Sequence, residues 1–212
     1  MRAARAVNVD FSLYVITDRK ALAHKTIEGA IEEALQGGVR AVQVREKDLG
    51  IRDLLDLAYQ IRRLTSEYKA RLFINDRVDV ALVTGADGVH LSRHGIPPYA
   101  AKDISKGDLI VGVSTHSLAE AVDAEKGGAD FITFGPVYGT PSKLGYGRPH
   151  GPGPLKEVCG AVSIPVFAIG GIRLERVKEV RDCGVAGAAV ISAILCSEHI
   201  TASVETFLRY LQ

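Results

Sequence analysis

Four stretches of this chain repeat one arrangement, in which glycine ends a helical segment and an apolar, strand-like run begins almost at once. They read GGVRAVQV, TGADGVHL, GGADFITF and CGVAGAAV. Glycine suits the end of a helix because it adopts the left-handed backbone conformation without the penalty that a Cβ atom brings. The repeated unit is therefore helix, glycine cap and strand, which restricts the chain to a fold of alternating helices and strands.

Eight apolar runs are predicted to be strands, and segments with helical spacing separate them. The strands are expected to begin at Leu13, Ala41, Arg71, Gly88, Leu109, Phe131, Pro165 and Gly187. The alternation predicts a single parallel (β/α)8 TIM barrel over residues 1–212, with residues 1–11 as an N-terminal extension. An open doubly wound sheet is the alternative, but an eighth strand followed by a final helix favours closure.

The charge balance excludes several classes of partner. Lys and Arg number 26 and Asp and Glu 25, a formal net charge of +1, so no overall field would attract nucleic acid or an anionic membrane. No uninterrupted apolar run reaches the length of about 18 residues that a membrane span needs. We expect a cytoplasmic protein with small-molecule partners, either a monomer or a homodimer. Its three cysteines are too scattered for a disulfide framework and are expected to be buried thiols.

The second predicted strand, AVQVREK, carries strongly polar side chains on one face only. Its apolar face holds Val42 and Val44, and its polar face holds Gln43, Arg45 and Lys47. In a barrel, alternate strand residues point inward or toward the helices, and the site lies where the strands end. We therefore expect the polar face to line the mouth, where two enclosed cations need an anion. An internal ion pair with Asp18 or Asp76 is the alternative.

Other strand ends converge on the same mouth. Asn75 and Asp76 follow the third apolar run, where an inward Asp76 would be a metal ligand or a cation partner and an exposed one a turn residue. Ser114 and His116 follow the fifth run, and the position of His116 at a strand end makes it a candidate acid or base as well as a structural histidine.

Glycine-rich segments follow the sixth and seventh strands. The long segment GPVYGTPSKLGYGRPHG contains Thr140, Ser142 and Lys143, whose hydroxyl and ammonium groups suit a phosphate. Its length suggests a functional loop, and we expect residues 139–151 to act as a lid. The seventh strand ends in Gly170 and Gly171 and leads directly into a helix, while the eighth ends in Ile191 and Ser192. Loops after these two strands commonly hold phosphate in this fold, so the mouth is predicted to contain two anion sites.

Taken together, these motifs resemble the thiamin phosphate synthase family, which includes the TenI-type thiazole tautomerases. The motifs that carry the resemblance are YVITD, VQVREK, FINDRVDVAL, GADGVHL, GVSTHS, GADFITFGPVYGTPSK, AIGGI and VISAI. They extend from Leu13 to about Ile194 and identify the superfamily more specifically than its individual member.

The resemblance implies a function for each side of the mouth. Synthases of the family join hydroxymethylpyrimidine diphosphate to a thiazole phosphate and release pyrophosphate, with Mg²⁺ and through a dissociative step. By resemblance, the pyrimidine diphosphate would be bound by Gln43, Val44, Arg45, Glu46, Lys47, Asn75, Ser114 and Lys143. The thiazole phosphate would be bound by Thr140, Ser142, Gly171, Ile191 and Ser192. Asp76 would ligate Mg²⁺, and catalysis would fall to Arg45, Lys47, Lys143 and His116.

One departure from the family pattern affects the metal. The synthases carry a second aspartate shortly after GVHL, whereas this chain reads GVHLSRHGIP with Gly95 at that position. Mg²⁺ often binds through one or two carboxylates plus substrate phosphates, so the loss weakens the site without abolishing it. Arg93 could supply some of the missing positive charge.

The same departure favours the tautomerase alternative. A TenI-type tautomerase needs no Mg²⁺, because it only moves a proton on the thiazole carboxylate, with His116 as acid and base. Against it, VQVREK and INDR keep the diphosphate residues that a tautomerase does not need. A non-catalytic regulatory barrel is a third reading.

Overall fold

The computed structural model of this protein describes residues 9–22, 25–140 and 148–212. Parallel strands form a closed barrel of eight in chain order, β1 to β8, in which β1 pairs with both β2 and β8. The strands are β1 Leu13–Ile16, β2 Ala41–Val44, β3 Arg71–Asn75, β4 Gly88–Leu91, β5 Ile110–Thr115, β6 Phe131–Phe134, β7 Val166–Ile169 and β8 Gly187–Val190. The predicted (β/α)8 barrel is confirmed, and the open sheet is not what the chain forms.

Helices surround this barrel. They are α1 Ile27–Gln36, α2 Ile51–Glu67, α3 Val78–Thr84, α4 Pro98–Ile104, α5 Leu118–Lys126, α6 Pro152–Ala161, α7 Leu174–Arg181, α8 Ser192–Leu195 and α9 Ile200–Leu211. The short helix α8 follows β8 directly, in the place where this fold often carries an extra helix beside a phosphate. Thr26 and Ser117 cap α1 and α5, each accepting a hydrogen bond from a backbone N–H of the first turn.

Alternation along the strands divides the core into two layers. Val42 and Val44 pack in the outer layer with helix residues such as Leu57 and Ile61, whereas Gln43, between the two valines, is buried inside the barrel. The inward and outward directions predicted for β2 are therefore confirmed up to the end of the strand, which the structure places at Val44. The alternation follows from the period of two along a strand.

Aromatic rings fill the barrel below the mouth. The cluster holds Phe11, Tyr14, Phe73, Phe131 and Phe167, all buried. Phe11 stacks on Phe167 with ring centroids 5.0 Å apart, and Phe73 meets Phe131 edge to face at 5.5 Å. Phe11 lies within the segment that the sequence assigned to an N-terminal extension, yet its ring is part of this interior packing. The barrel is thus a packed core, and its polar side chains are concentrated at the strand ends.

Removing one ring from this cluster should destabilise the fold. Because Phe131 is completely buried and contacts several rings, Phe131→Ala is expected to lower the free energy of unfolding by about 3 to 5 kcal/mol. Urea denaturation followed by circular dichroism measures this change. Tyr99→Ala is the control, because Tyr99 is 62% exposed and its loss should cost less than about 0.5 kcal/mol. Equal losses in the two variants would contradict the packing described.

The structure also bears on the two expectations drawn from composition, which concern the cysteines and membrane spans. All three cysteines are free thiols, but only Cys183 is buried; Cys159 is half-buried and Cys196 is exposed. The prediction of buried thiols was therefore wrong for Cys196, which lies at the end of α8 and points its thiol at the carbonyl of Ala21. Within the described ranges, no helix is both long and apolar enough to cross a membrane.

Candidate active site

Gln43 marks the base of the mouth on its β2 side. Its side chain is only 1% exposed, and its Nε2 donates a hydrogen bond of 3.0 Å to the hydroxyl of Tyr14. Tyr14 is fully buried, and burial raises the pKa of this hydroxyl well above its ordinary value, so it stays protonated. The bond fixes the amide of Gln43 in an otherwise aromatic interior, because a buried amide without a partner is costly.

Arg45 and Lys47 follow the end of β2. The backbone N–H of Arg45 donates to Thr17 Oγ1 at 2.9 Å, which ties the segment to the end of β1. In the described part of the chain, neither Arg45 nor Lys47 forms an ion pair, so the alternative of an internal pair with Asp18 or Asp76 is not what the structure contains. Both cations line a cavity of about 220 Å³ that is open to solvent. The cavity is also lined by Lys20 and by the carboxylates of Asp18, Glu46 and Asp48. Glu46 and Asp48 are bonded to Arg19, and Lys20 pairs with Asp48, so Arg45 and Lys47 are the lining cations that an anionic ligand could meet.

Glu46, between these cations, serves the scaffold. Its carboxylate accepts hydrogen bonds from the backbone N–H of Arg19 at 3.1 Å and from its Nη1 at 3.0 Å. Arg19 also binds Asp48 through two bonds of 2.7 Å. Glu46 thereby holds the loop after β1 against the loop after β2. Val44 directs its side chain into the outer core, so only its backbone faces the mouth. A direct substrate contact by either residue stays a prediction.

Asp76 occupies a special backbone position after β3. Its φ of +58° lies in the left-handed region, which Asp and Asn tolerate better than most residues. Its Oδ1 accepts a 2.6 Å bond from the N–H of Ser92, and its Oδ2 accepts a 2.9 Å bond from Asn75 Nδ2. The carboxylate therefore links the end of β3 to the loop after β4, at the mouth rather than in an ordinary solvated turn.

Gly95 lies directly against this carboxylate. A Cβ atom added at Gly95 would be 2.8 Å from Asp76 Oδ1, closer than such atoms approach one another in proteins. The loop as folded has no room for a side chain at the position where the resemblance places a second aspartate. Arg93, two residues earlier, directs its guanidinium toward Glu120, 3.4 Å away, and not toward Asp76. The charge of Arg93 is thus paired with a carboxylate in the first turn of α5.

Asp76 is the residue that could hold a divalent cation here. Among the described residues, no group of three or more His, Cys, Asp or Glu side chains is arranged to hold a metal by itself. Mg²⁺ prefers oxygen ligands and often uses one or two carboxylates together with substrate phosphates. One carboxylate at the mouth therefore fits Mg²⁺ that arrives with a phosphorylated ligand, and does not fit a metal cage built of protein alone.

His90, on β4, is a polar side chain of the barrel interior that the sequence did not single out. Its Nε2 lies 3.0 Å from Ser114 Oγ, while its Nδ1 has no hydrogen-bond partner among the described residues. Burial lowers the pKa of His90 to about 3, with the carboxylate of Asp76 opposing the shift and the guanidinium of Arg45 adding to it. The charges of Asp76 and Arg45 therefore both act on the ring of His90, which also contacts Ser114. The alternation in GVHL, which puts His90 on the opposite face of β4 from Val89 and Leu91, was the sequence signal that could have indicated an inward histidine.

His116 lies just beyond the end of β5. Its Nδ1 is 2.5 Å from the carbonyl oxygen of Gly135, and because a carbonyl only accepts, Nδ1 carries the proton. Its backbone N–H donates to Glu120 Oε2 at 2.7 Å. These two bonds orient the ring and leave Nε2 as the unprotonated nitrogen of the neutral imidazole, which is the atom that can take up a proton.

The opposite side of the mouth is built around the turn after β7. Gly170 and Gly171 have φ angles of +96° and +65°, which favour glycine. A Cβ at Gly170 would lie 2.6 Å from Pro136 Cα, so the loop after β6 packs directly on this turn. That loop leads to Thr140, the last residue described before a gap. Ser142 and Lys143, and with them the middle of the predicted lid, lie outside the described residues.

The turn after β8 completes this side. Ile191 precedes α8, and its carbonyl oxygen accepts the N–H of Leu195 at 2.9 Å. Ser192 is the first residue of α8 and is exposed. The fold thus gives the mouth one side with cations and one with glycines and hydroxyl groups. Together they define a (β/α)8 barrel of the kind that binds phosphorylated ligands where its strands end.

Comparison with known proteins identifies the family within this class. A model of the family described as Thiamine monophosphate synthase matches residues 13–194. A relative from Geobacter sulfurreducens is 52% identical over 187 residues, which are 88% of each chain. The thiamine-phosphate synthase of Clostridium novyi is 40% identical over 200 residues, covering 94% of this chain and 98% of the relative. The chain belongs to the thiamine monophosphate synthase family.

Solved structures agree with this assignment. The thiamine phosphate pyrophosphorylase from Pyrococcus furiosus superimposes with a TM-score of 0.87 and 41% identity, covering 95% of each chain. A 3-hexulose-6-phosphate synthase, with a TM-score of 0.68 and 16% identity, shares the fold alone.

Proposed function

We propose that this chain is a transferase that joins hydroxymethylpyrimidine diphosphate to thiazole phosphate, or to its carboxylate, giving thiamin phosphate and pyrophosphate. The observation that carries the proposal is the pair of cations, Arg45 and Lys47, which face a cavity without an ion-pair partner in the described part of the chain. A synthase needs such free cations for a diphosphate, and the Clostridium novyi relative, which matches nearly the whole chain, is named a thiamine-phosphate synthase.

The cationic side would stabilise the leaving group. In a dissociative step, negative charge grows on the departing diphosphate, and preorganised cations act where that charge develops. Arg45 offers a planar pair of N–H donors, and Lys47 a mobile ammonium, so the two can follow the diphosphate as its bond lengthens. Lys143 would contribute a third cation from the loop after β6.

Gln43 and Ser114 would hold the pyrimidine ring. The amide of Gln43 is already fixed by Tyr14, and the hydroxyl of Ser114 is fixed by His90. Groups held in this way lose little conformational freedom on binding, which favours a defined position of the pyrimidine. The thiazole phosphate would bind on the other side, at Thr140, Ser142, Gly171, Ile191 and Ser192, so that the two reacting groups meet between the sides.

Mg²⁺ would be held by Asp76 and by oxygens of the bound diphosphate. When bound, the ion would share the negative charge of the leaving group with the cations. Because Gly95 cannot supply a second carboxylate, we propose a site that is assembled only with substrate. Mg²⁺ should therefore bind to the complex of the protein with the pyrimidine diphosphate, and not to the protein alone.

The test is a coupling assay on the purified protein. With both phosphorylated substrates and Mg²⁺, thiamin phosphate and pyrophosphate should form in equal amounts, and chelation of the metal should stop both. Chromatography measures the first product and a coupled phosphatase assay the second. Absence of thiamin phosphate with active substrates would sink the proposal and leave a regulatory barrel as one reading.

A thiazole tautomerase is the second candidate, and the geometry of His116 favours it. The bond from Nδ1 to Gly135 O leaves Nε2 as a base in the neutral ring, as a proton transfer requires. The assay is incubation of thiazole carboxylate phosphate with the protein in D₂O without metal. Rapid deuterium uptake that is lost in His116→Asn would support this activity; no uptake above the rate without protein would exclude it.

We also propose a cytoplasmic location, since free thiols suit a reducing compartment and both substrates are small phosphorylated metabolites. A homodimer stays an expectation, which light scattering on the purified protein would decide.

A further inference from the structure

Arg176, on α7, touches two loops of the mouth at once. Its Nη1 donates a 2.7 Å hydrogen bond to the carbonyl oxygen of Gly171, in the turn after β7. Its guanidinium carbon lies 4.3 Å from the ring centroid of Tyr138, in the loop after β6. An arginine so placed combines a directed hydrogen bond with a cation–π contact, which a lysine cannot reproduce. Neither the sequence motifs nor the family resemblance pointed to this residue.

Tyr138 is held from two further directions. Its hydroxyl donates a 2.5 Å hydrogen bond to Glu179, one helical turn beyond Arg176, and its backbone N–H donates a 3.0 Å bond to the carbonyl oxygen of Gly170. Burial, together with the bond to Glu179, raises the pKa of the Tyr138 hydroxyl, so it remains a donor. The beginning of the long loop is thereby attached to α7 just two residues before Thr140.

The two loops leave no space between them. A Cβ added at Gly171 would be 2.8 Å from the carbonyl oxygen of Gly139 and 2.9 Å from Tyr138 Cβ. A displacement of Tyr138 is therefore transmitted to the turn at Gly171, and a displacement of the turn is transmitted to the loop. Arg176, which holds both, sets their relative position.

The bond to Gly171 also fixes the direction of a hydrogen-bond donor. In a trans peptide the C=O and the following N–H point to opposite sides. Because Arg176 holds the carbonyl of Gly171, the N–H of Ile172 is turned away from Arg176. Among the described residues, no backbone carbonyl accepts a bond from the N–H of Gly171 or of Ile172. Such unpaired amides in a glycine turn are suited to a phosphate.

We propose that Arg176 is a positioning residue, which holds the Gly171 turn against Tyr138 so that the N–H groups of Gly171 and Ile172 are presented to the phosphate of the thiazole substrate. Arg176 acts through its neighbours and touches no reacting atom. This inference rests on the proposed synthase function. The inference distinguishes the two substrates, because no hydrogen bond or ion pair joins Arg45 to α7 among the described residues.

Steady-state kinetics of Arg176→Ala provides the test. The KM for thiazole phosphate should rise about tenfold, while the KM for the pyrimidine diphosphate stays the same. Arg176→Lys should recover little, because it restores the charge without the combined stack and directed bond. Lys178→Ala is the matched control, since it removes one positive charge from an exposed position of the same helix. An equal rise in both KM values, or no rise in either, would overturn the proposal.

A second measurement does not depend on the reaction. Binding of inorganic phosphate to the wild-type protein should shift the amide NMR signals of Gly171 and Ile172, and Arg176→Ala should weaken that binding by a similar factor. If the wild type binds phosphate in this way but couples no substrates, the synthase proposal fails and the positioning role stands. Unchanged phosphate affinity in a folded Arg176→Ala, or in Arg176→Gln should the alanine variant not fold, refutes the positioning role.

Discussion

Arg45→Ala is expected to lower kcat/KM for thiamin phosphate formation by about 10²- to 10³-fold while the fold stays intact. The side chain has no ion-pair partner in the described chain, and the local anchor, the bond from its backbone N–H to Thr17 Oγ1, survives the substitution. The loss therefore falls on the diphosphate, whose developing charge would lack its planar donor. The kinetics should be measured with saturating Mg²⁺, so that a weakened metal site does not contribute.

Two further variants make the result specific. Arg45→Lys should recover only part of the activity, because an ammonium replaces charge but not the paired donors of a guanidinium. Arg63→Ala, at an exposed position near the C-terminal end of α2 and so on the side of the barrel away from the mouth, removes the same charge and should leave kcat/KM unchanged. If Arg45→Ala bound the pyrimidine diphosphate as tightly as the wild type, the cationic side would not be the diphosphate site.

Asp76→Asn is expected to have the second large effect, an increase of about 10²-fold in the Mg²⁺ concentration needed for half-maximal activity. Asparagine tolerates the left-handed backbone at this position, φ +58°, and its amide oxygen can still accept the N–H of Ser92. The substitution thus removes the charge and keeps the bond to Ser92, but it loses the bond from Asn75 Nδ2, which the new amide nitrogen cannot accept. Gly95, at the position of the second aspartate of the family pattern, supplies no carboxylate to compensate for the loss.

A magnesium titration of the coupling rate measures this effect. Asp79→Asn is the matched control: it also removes a carboxylate charge close by, but its side chain is exposed and paired with Arg77 at 2.5 Å. That variant should keep the wild-type magnesium dependence. An unchanged dependence in Asp76→Asn would show that Asp76 serves only to link Asn75 and Ser92, and that any metal binds elsewhere.

The barrel could be predicted from local features of the sequence. Glycine at a helix end followed by an apolar run fixes each unit within about ten residues, as in the stretch that ends in β2 and the stretch that ends in β6. The alternation of Val42, Gln43 and Val44 likewise assigns inside and outside without knowledge of the neighbours. Parallel strands then bring their ends to one mouth, so Arg45 and Asp76 could be placed there from order alone.

Contacts between loops could not be predicted in this way. The bond between the carboxylate of Glu46 and Arg19, 27 residues earlier, has no local signal in either stretch of sequence. Tyr138 and Glu179 meet across 41 residues, and nothing in either local sequence indicates the partner. The direction of Arg93 toward Glu120 depends on how the loop after β4 folds, which alternation and glycine positions leave undetermined.

Gly95 illustrates the value of the structure for a departure from a family pattern. The sequence shows that glycine stands where the family pattern has an aspartate. The structure adds that the loop packs on Asp76, so that a Cβ added at Gly95 would lie 2.8 Å from Asp76 Oδ1. Restoring the family residue with Gly95→Asp would therefore require the loop to move and the bond between Ser92 and Asp76 to adjust. The lack of a second carboxylate therefore depends on the conformation of the whole loop after β4, and not only on the identity of residue 95.

Pyrophosphate release by the wild-type protein across a magnesium titration, with both substrates present, tests the central claim most directly. The account predicts release that rises with Mg²⁺ to a plateau, is matched by thiamin phosphate and requires the thiazole phosphate. No release at any magnesium concentration, combined with rapid metal-free proton exchange on thiazole carboxylate phosphate, would contradict it and identify a tautomerase that retains the cations after β2, Arg45 and Lys47, for another ligand.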